Sequence, residues 1–323
     1  MDEWEKERLS VKIASMYYIQ NLTQDEISKK LGIHRTTISR LIKSARQEGI
    51  ITISIREDLN KYYELESRLE SVFGLKEAYV VSSQRVKEGG SEKQALGKVC
   101  ADLLTQIVQD GDVVGLSWGS SLKEVANALK PSHQQKTLQA DIVAICGGPG
   151  NVESENHVNS IVGKVSQALK ARPNYFYAPI ITSKKETKEA ILQDDNCIAV
   201  TNLWKKVRIA VVGIGSFPEH SSILPSGYIT PQEIEMLRQL KVVGDICSRF
   251  YTIDGSPIHI ELTERTISID MEYLKHMDYS IAVAGAPQKV PAILGALKGK
   301  FVNVLITTEE TAQSLLDVAE KSK

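Results

Sequence analysis

From Ala78 onward the chain repeats one pattern: a short apolar run rich in β-branched residues, then a stretch with helical spacing. The runs read "EAYVVSS", "GDVVGLS", "DIVAI", "YFYAPII", "RIAVVGIG", "YSIAVAG" and "FVNVLITT". A strand that is apolar at nearly every position is buried on both faces, and a helix between successive strands supplies the crossover that parallel pairing needs. The pattern predicts an α/β fold built on a Rossmann-like, doubly wound, mostly parallel sheet. One interruption stands out. Residues 242–275 contain "RFYTIDGSPIHIELTERTISI", in which an Asp-Gly turn between extended runs predicts a hairpin excursion.

The first fifty residues have a different period. Ile13, Met16, Tyr17 and Tyr18 form one side of a helix over 11–20, Thr23 and Glu26 fit a capping box for a second helix carrying Ile27 and Leu31, and Gly32 supplies a sharp turn. Ile33, Ile38, Leu41, Ile42 and Ala45 then recur at helical spacing along a third helix that Gly49 ends. This is a helix-turn-helix. Its third helix, in "HRTTISRLIKSAR", carries Arg35, Arg40, Lys43 and Arg46 with no acidic residue between Lys29 and Arg46. A solvated helix face usually mixes signs, because opposite charges three or four residues apart support one another; this one repels itself unless a polyanion lies against it. His34, Arg35 and Thr36 would enter a major groove, with Ser39, Arg40 and Lys43 one turn on. The expected DNA-contacting set is Gln24, His34, Arg35, Thr36, Thr37, Ser39, Arg40 and Lys43.

The overall charge of −1 leaves any basic surface local to this head, where residues 1–55 carry nine Lys and Arg against seven Asp and Glu. Cys100, Cys146, Cys197 and Cys247 lie far apart in apolar neighbourhoods, which suggests reduced thiols and neither a metal pair nor a disulfide ladder. The N-terminus is charged, and no run has the length of a membrane span. A cytoplasmic protein with no cofactor, no metal and no membrane partner is expected. The domains are read as 1–56 and 57–323, with "IITISI" a short strand or wing and 57–76 a helical connector.

Four strand ends are followed by glycine-rich loops: "SWGSS", "CGGPG", "GIGS" and "GAPQK". In a doubly wound sheet ligands collect at such ends, and a helix start offers unpaired N–H groups to an anion. A phosphate would fit between "SWGSS" and Lys289. Taken singly, each feature also has a plain structural use: "GIG" as a tight turn, Lys289 as a surface lysine, Asp245 as the partner of Arg249, Trp118 as packing.

The wording of "HRTTISRLIKSARQEGIITISI", "FGLKEA", "GLSWG", "CGGPGNVESENHVN", "VGIGS", "GDICSRFY" and "TISIDM", spread over nearly the whole chain, resembles the SorC family of bacterial sugar-responsive transcriptional regulators. The resemblance implies a helix-turn-helix joined to a sugar-phosphate-binding domain similar to ribose-phosphate isomerases and glucosamine-phosphate deaminases. It implies Ser117, Gly119, Ser120 and Ser121 at the anion end, Gly147 and Gly148 beside the sugar, and Gly213 and Gly215 under it. Asp245 would meet hydroxyls and Lys289 the phosphate. Some relatives place an imine-forming lysine where this chain has Cys146, so a sorbose-type keto-sugar or polyol phosphate held by hydrogen bonds is implied instead. Operator DNA and a second copy or more of the chain, as dimer or tetramer, complete the expected partners. The competing reading is an enzyme, a sugar-phosphate isomerase or deaminase tethered to DNA; it needs an acid or base beside the substrate, and Asp245 is the nearest candidate, with Glu153, Glu155 and His157 more remote.

Overall fold

A computed structural model describes residues 3–51, 57–82, 86, 90–130, 138–150, 152–217, 223–224 and 227–321. The chain divides into two compact units, Met1–Asn60 and Lys61–Lys323. In the first unit, α1 (Glu3–Tyr18), α2 (Gln24–Leu31) and α3 (Arg35–Gln47) enclose a small core of Ile13, Met16, Ile27, Ile38, Leu41 and Ile42. α1 begins eight residues earlier than its apolar spacing alone predicts, because Glu3 to Arg8 continue the helix beyond the buried stripe. Thr23 and Glu26 exchange the two hydrogen bonds of a capping box, and Gly32 ends α2 in the left-handed region at φ 64°. The strand expected in "IITISI" (50–55) lies, from residue 52 on, outside the described residues.

The second unit begins within α4 (Glu57–Phe73), whose Leu65 and Leu69 join the main core. There follow β1 (Glu77–Val81), α5 (Glu92–Ile107), β2 (Val113–Leu116), α6 (Ser120–Ala128), β3 (Asp141–Ala144), α7 (Val158–Leu169) and β4 (Arg172–Asn174). The chain continues through α8 (Lys185–Leu192), α9 (Asp195–Trp204), β5 (Ile209–Val212), β6 (Gly215–Ser216), α10 (Pro231–Gln239), β7 (Val242–Ile246) and β8 (Arg249–Thr252). Two single-turn helices, α11 (Glu261–Glu264) and α12 (Met271–Leu274), precede β9 (Tyr279–Val283), α13 (Val290–Lys298), β10 (Val304–Thr308) and α14 (Glu309–Lys321).

Seven strands form one parallel sheet in the order β1-β10-β9-β5-β2-β3-β4. Every residue of β2, β5 and β10 is buried, so both faces of the sheet are covered, which is why these strands read as continuous apolar runs. The chain winds outward from β2 through β3 to β4, then returns to β5 and winds the other way. The order therefore reverses between β2 and β5, and a crevice opens at their carboxyl ends.

Two expectations shift. "YFYAPII" is not a strand: the ladder ends at Asn174, and Tyr175–Ile181 run on as a loop held by isolated bridges at Pro179 and Ile181. Pro179 lacks the N–H that a longer ladder would need. The hairpin exists, but its turn is Cys247-Ser248 rather than Asp254-Gly255. Ile246 pairs with Arg249 across a two-residue loop with φ 53° and 61°, the geometry of a type I′ turn, and the Asp-Gly turn follows β8. β6, β7 and β8 make a separate antiparallel sheet.

Candidate functional site

On the head, the chemistry lies on α3. Its apolar side (Ile38, Leu41, Ile42, Ala45) is buried, while His34, Arg35, Thr36, Ser39, Arg40 and Lys43 are exposed on the other, with Thr37 and Gln24 half-buried. His34 occupies the N-cap without a side-chain bond to the helix, leaving its ring unengaged by the cap. Arg35 sits 3.4 Å from Asp25 with both side chains largely in water. A pair of that exposure is worth little, so exchanging Asp25 for a base or phosphate costs little. Arg46 is committed elsewhere: its Nε donates to the Tyr18 hydroxyl at 2.8 Å and its guanidinium stacks over that ring, which ties α3 to α1. The basic face thus separates into Arg46, which holds the head together, and Arg35, Arg40 and Lys43, which face solvent.

In the second unit, a cavity of about 50 Å³ lies where β2 and β5 end, lined among others by Ser117, Trp118, Gly119, Ser120, Ser121, Gly213, Gly215, Asp245, Cys247 and Lys289. Topology assembles it from segments far apart in sequence. Ser117 extends the β2–β5 ladder by donating its N–H to Val211, and its Oγ accepts the N–H of Gly213, which clamps the two loops together. Gly119, at φ 120°, turns the chain into α6 and spends its own N–H on Asn156. The next three N–H groups, of Ser120, Ser121 and Leu122, have no acceptor among the described residues and belong to residues that line the cavity. An uncapped helix start of this kind favours an anion.

Asp245 reaches the cavity through the hairpin. The tight Cys247-Ser248 turn directs the Ser248 N–H onto Asp245 Oδ2 at 3.0 Å. Gly215 makes room for the carboxylate: a Cβ there would lie 2.0 Å from Oδ1. Burial pushes the Asp245 carboxyl up to about 6, against the opposing pull of the Ser248 N–H and the Lys289 ammonium. Lys289 sits on a short 3-10 turn whose N-cap, Ala286, adopts φ 89°, a conformation a non-glycine residue holds only under constraint. Its Nζ donates to the Ile214 carbonyl at 2.7 Å. Burial first, then the charge of Lys93, lowers it from the ordinary lysine range, while Asp245 and Glu92 pull the other way.

Some expected members stand apart. Gly147 and Gly148 do not line the cavity. A Cβ on Gly147 would lie 2.4 Å from the Pro179 carbonyl oxygen, and one on Gly148 2.0 Å from His157 Nε2, so both are closely packed. His157 Nδ1 accepts the Asn159 N–H, capping α7. Glu153 accepts from the Asn156 side chain and Glu155 lies 3.8 Å from Lys123, so none of the remoter acid–base candidates reaches the cavity. Asp245 does not pair with Arg249, whose guanidinium donates to the carbonyls of Ile269 and Ser268. Cys146 is fully buried beside Cys247; that contact and burial hold the Cys247 thiol well above its ordinary range, the opposite of an activated nucleophile. Sequence reasoning passed over Trp118, Ile223 and Cys247 as lining residues, because an apolar side chain near a strand end carries no mark distinguishing core from cavity wall.

A family model described as "Putative sugar-binding domain" matches residues 57–317, and one described as "Sigma-70, region 4" matches residues 11–48. The chain is 38% identical over 310 residues to the sorbitol operon regulator of Klebsiella pneumoniae, covering 96% of this chain and 98% of that protein. It is 30% identical over 313 residues to the deoxyribonucleoside regulator of Bacillus subtilis, covering 97% and 98%. The crystal structure of the full-length sorbitol operon regulator SorC from Klebsiella pneumoniae matches with a TM-score of 0.75 at 38% identity over 96% of this chain and 98% of that one. A probable sor operon regulator from Shigella flexneri matches with a TM-score of 0.72 at 32% identity, over 79% and 99%.

Proposed function

This chain belongs to the SorC family of sugar-operon transcriptional regulators, proteins with a helix-turn-helix and a sugar-binding domain and not enzymes, and from that premise we propose that its operator binding is set by a phosphorylated sugar or polyol held in the β2–β5 cavity. The observation that carries this is that three helix-start N–H groups with no acceptor among the described residues and the half-buried Lys289 ammonium belong to one cavity lining together with the buried Asp245 carboxylate. The first set suits a phosphate, and the second suits hydroxyls. One carboxylate without an accompanying base fits recognition better than proton transfer.

Relatives along the full length of the chain are named for sorbitol and for deoxyribonucleosides, so overall similarity spans several sugars. A sorbose- or sorbitol-type phosphate is the reading we adopt, because Cys146 stands where an imine-forming lysine would be and Asp245 offers a hydroxyl acceptor. A cavity of about 50 Å³ accommodates a phosphate-sized group, whereas sites for whole small molecules run to roughly 300–1,000 Å³. Effector entry therefore widens the site, and the Lys289 bond to the Ile214 carbonyl is the first to be exchanged for phosphate.

Arg35 is assigned to base edges and Lys43 to phosphates, with Gln24, His34, Thr36, Thr37, Ser39 and Arg40 beside them. A single small head makes few contacts, so a dimer or tetramer placing several heads on repeated half-sites is part of the proposal. Residues 1–56 alone would then bind the operator far more weakly than the whole chain. For the effector, calorimetry of full-length protein with sorbitol 6-phosphate, sorbose 1-phosphate and their unphosphorylated parents tests the reading. The phosphates should bind more tightly, and Lys289→Ala should abolish most of that preference. Equal affinity for parents and phosphates would sink it.

A further inference from the structure

We propose that Lys93 is a second cation of the anion end, closing over the phosphate from the solvent side while Lys289 holds it from within; this rests on the effector reading above and extends it to a residue outside the cavity lining. The ammonium of Lys93 lies 2.8 Å from Ser120 Oγ, the side chain of the first residue of α6. Ser120 is itself part of the cavity wall, so Lys93 stands at the rim with one hydroxyl between it and the pocket.

The backbone holds it there. Lys93 and Gly97 are four residues apart and share one face of α5. At Gly97 the two helices touch so closely that a Cβ would lie 2.6 Å from the Glu124 carbonyl carbon and 2.9 Å from the Val125 nitrogen. α5 cannot slide along α6 without opening that contact, so packing fixes the backbone from which Lys93 reaches Ser120.

The charges at this end are mixed, with Lys93 and Lys289 set against Asp245 and Glu92. Lys289, largely withdrawn from solvent, feels the positive charge of Lys93 as its main electrostatic opponent. Glu92, the neighbour of Lys93, packs against Gly285, where a Cβ would lie 2.2 Å from its Oε1; that oxygen has no hydrogen-bond partner among the described residues, and its charge partly offsets those of Lys289 and Lys93. The rim therefore presents two converging ammonium groups, two serine hydroxyls and three helix-start N–H groups. A phosphate monoester can meet both ammonium groups, the hydroxyls and the N–H groups together, because it offers more acceptor oxygens than a carboxylate does.

The test uses full-length protein and calorimetry with sorbitol 6-phosphate, sorbose 1-phosphate, inorganic phosphate and the unphosphorylated parents, at two salt concentrations. Lys93→Ala should weaken the phosphorylated ligands about 10-fold, at the lower end for a charge-assisted bond because the site faces solvent. It should leave the parents' affinities and the melting temperature unchanged and flatten the salt dependence of phosphate binding. Lys93→Arg should restore most of the loss. If Lys93→Ala binds the phosphates as the wild type does while Lys289→Ala loses them, this assignment is wrong and the effector reading stands. If the wild type shows no preference for phosphate over parent, both fall.

Discussion

The two binding surfaces proposed for this chain are built by opposite strategies. On α3 the working side chains are local, exposed and spaced by helical geometry, with a capped helix and a glycine turn immediately before them. In the cavity, the working groups come from residues 117–122, 213–215, 245–247 and 289, and only a sheet whose winding reverses between β2 and β5 brings them together. The surface charges of the head are solvated and their pairs weak. Those of the cavity are withdrawn from water, so Asp245 and Lys289 are both displaced from their ordinary titration ranges. A surface that meets a polyanion needs charge at the right spacing; a pocket that distinguishes one small ligand needs dry, fixed groups.

That contrast can be broken at the packed glycines. Gly147→Ala pushes a Cβ to 2.4 Å from the Pro179 carbonyl oxygen and 2.5 Å from its carbon. Backbone cannot step aside as a side chain can, so the loss should reach or exceed the top of the ~1–3 kcal/mol usual for overpacking. In a two-transition melt the sugar domain should unfold earlier and the head should not. A stable variant with impaired effector binding would instead put Gly147 in contact with the sugar.

Asp245 sharpens the comparison through pH. Its carboxyl holds its proton more tightly folded than unfolded, so the contribution to stability is greatest at pH below about 4 and is lost as pH rises through about 6. Asp245→Asn should therefore flatten the dependence of melting temperature on pH across that window and stabilise the protein at pH 7, by on the order of 2 kcal/mol. Effector affinity should fall for phosphorylated and unphosphorylated sugars alike. A variant whose pH profile matches the wild type would show that Asp245 is better solvated than its burial implies.

On the head the effects should be smaller and of two kinds. Arg35→Ala should weaken operator binding by roughly 1–3 kcal/mol and relax sequence choice, whereas Lys43→Ala should weaken all DNA similarly and lower the salt slope by about one. Equal loss on operator and random DNA for Arg35→Ala would place the reading residue elsewhere on α3. Smallest of all, Thr23→Ala removes one half of the α2 capping box and should cost about 1 kcal/mol of head stability; calorimetric unfolding of the head checks it.

The same contrast explains what could be read in advance. Helix caps, the Gly32 turn and the α3 stripe are short-range signals, and they translate directly into structure. Parallel strands announce themselves because burial on both faces leaves unbroken apolar runs. "YFYAPII" imitates such a run, yet Pro179 and the loop's pairing with the Gly148 and Thr266 segments take its backbone out of the sheet. The Cys247-Ser248 turn was invisible because neither residue favours positive φ; the hairpin imposes it. Gly147 and Gly148 look like ligand-approach glycines in sequence, and only the positions of Pro179 and His157 show how closely both are packed. Lys93 carries no local mark at all, since its closeness to Ser120 depends on two helices touching at Gly97.

The central claim is that occupancy of the β2–β5 cavity is what the DNA head responds to. The direct measurement is fluorescence anisotropy of full-length protein on its operator, titrated with sorbitol 6-phosphate or sorbose 1-phosphate, in the wild type and in Lys289→Ala. The account predicts that a phosphate shifts the operator Kd of the wild type by several-fold or more, and that Lys289→Ala binds the operator normally but needs far more ligand for the same shift. It is contradicted if a phosphorylated sugar binds the wild type tightly while the operator Kd does not move, or if Lys289→Ala responds at the same ligand concentration as the wild type.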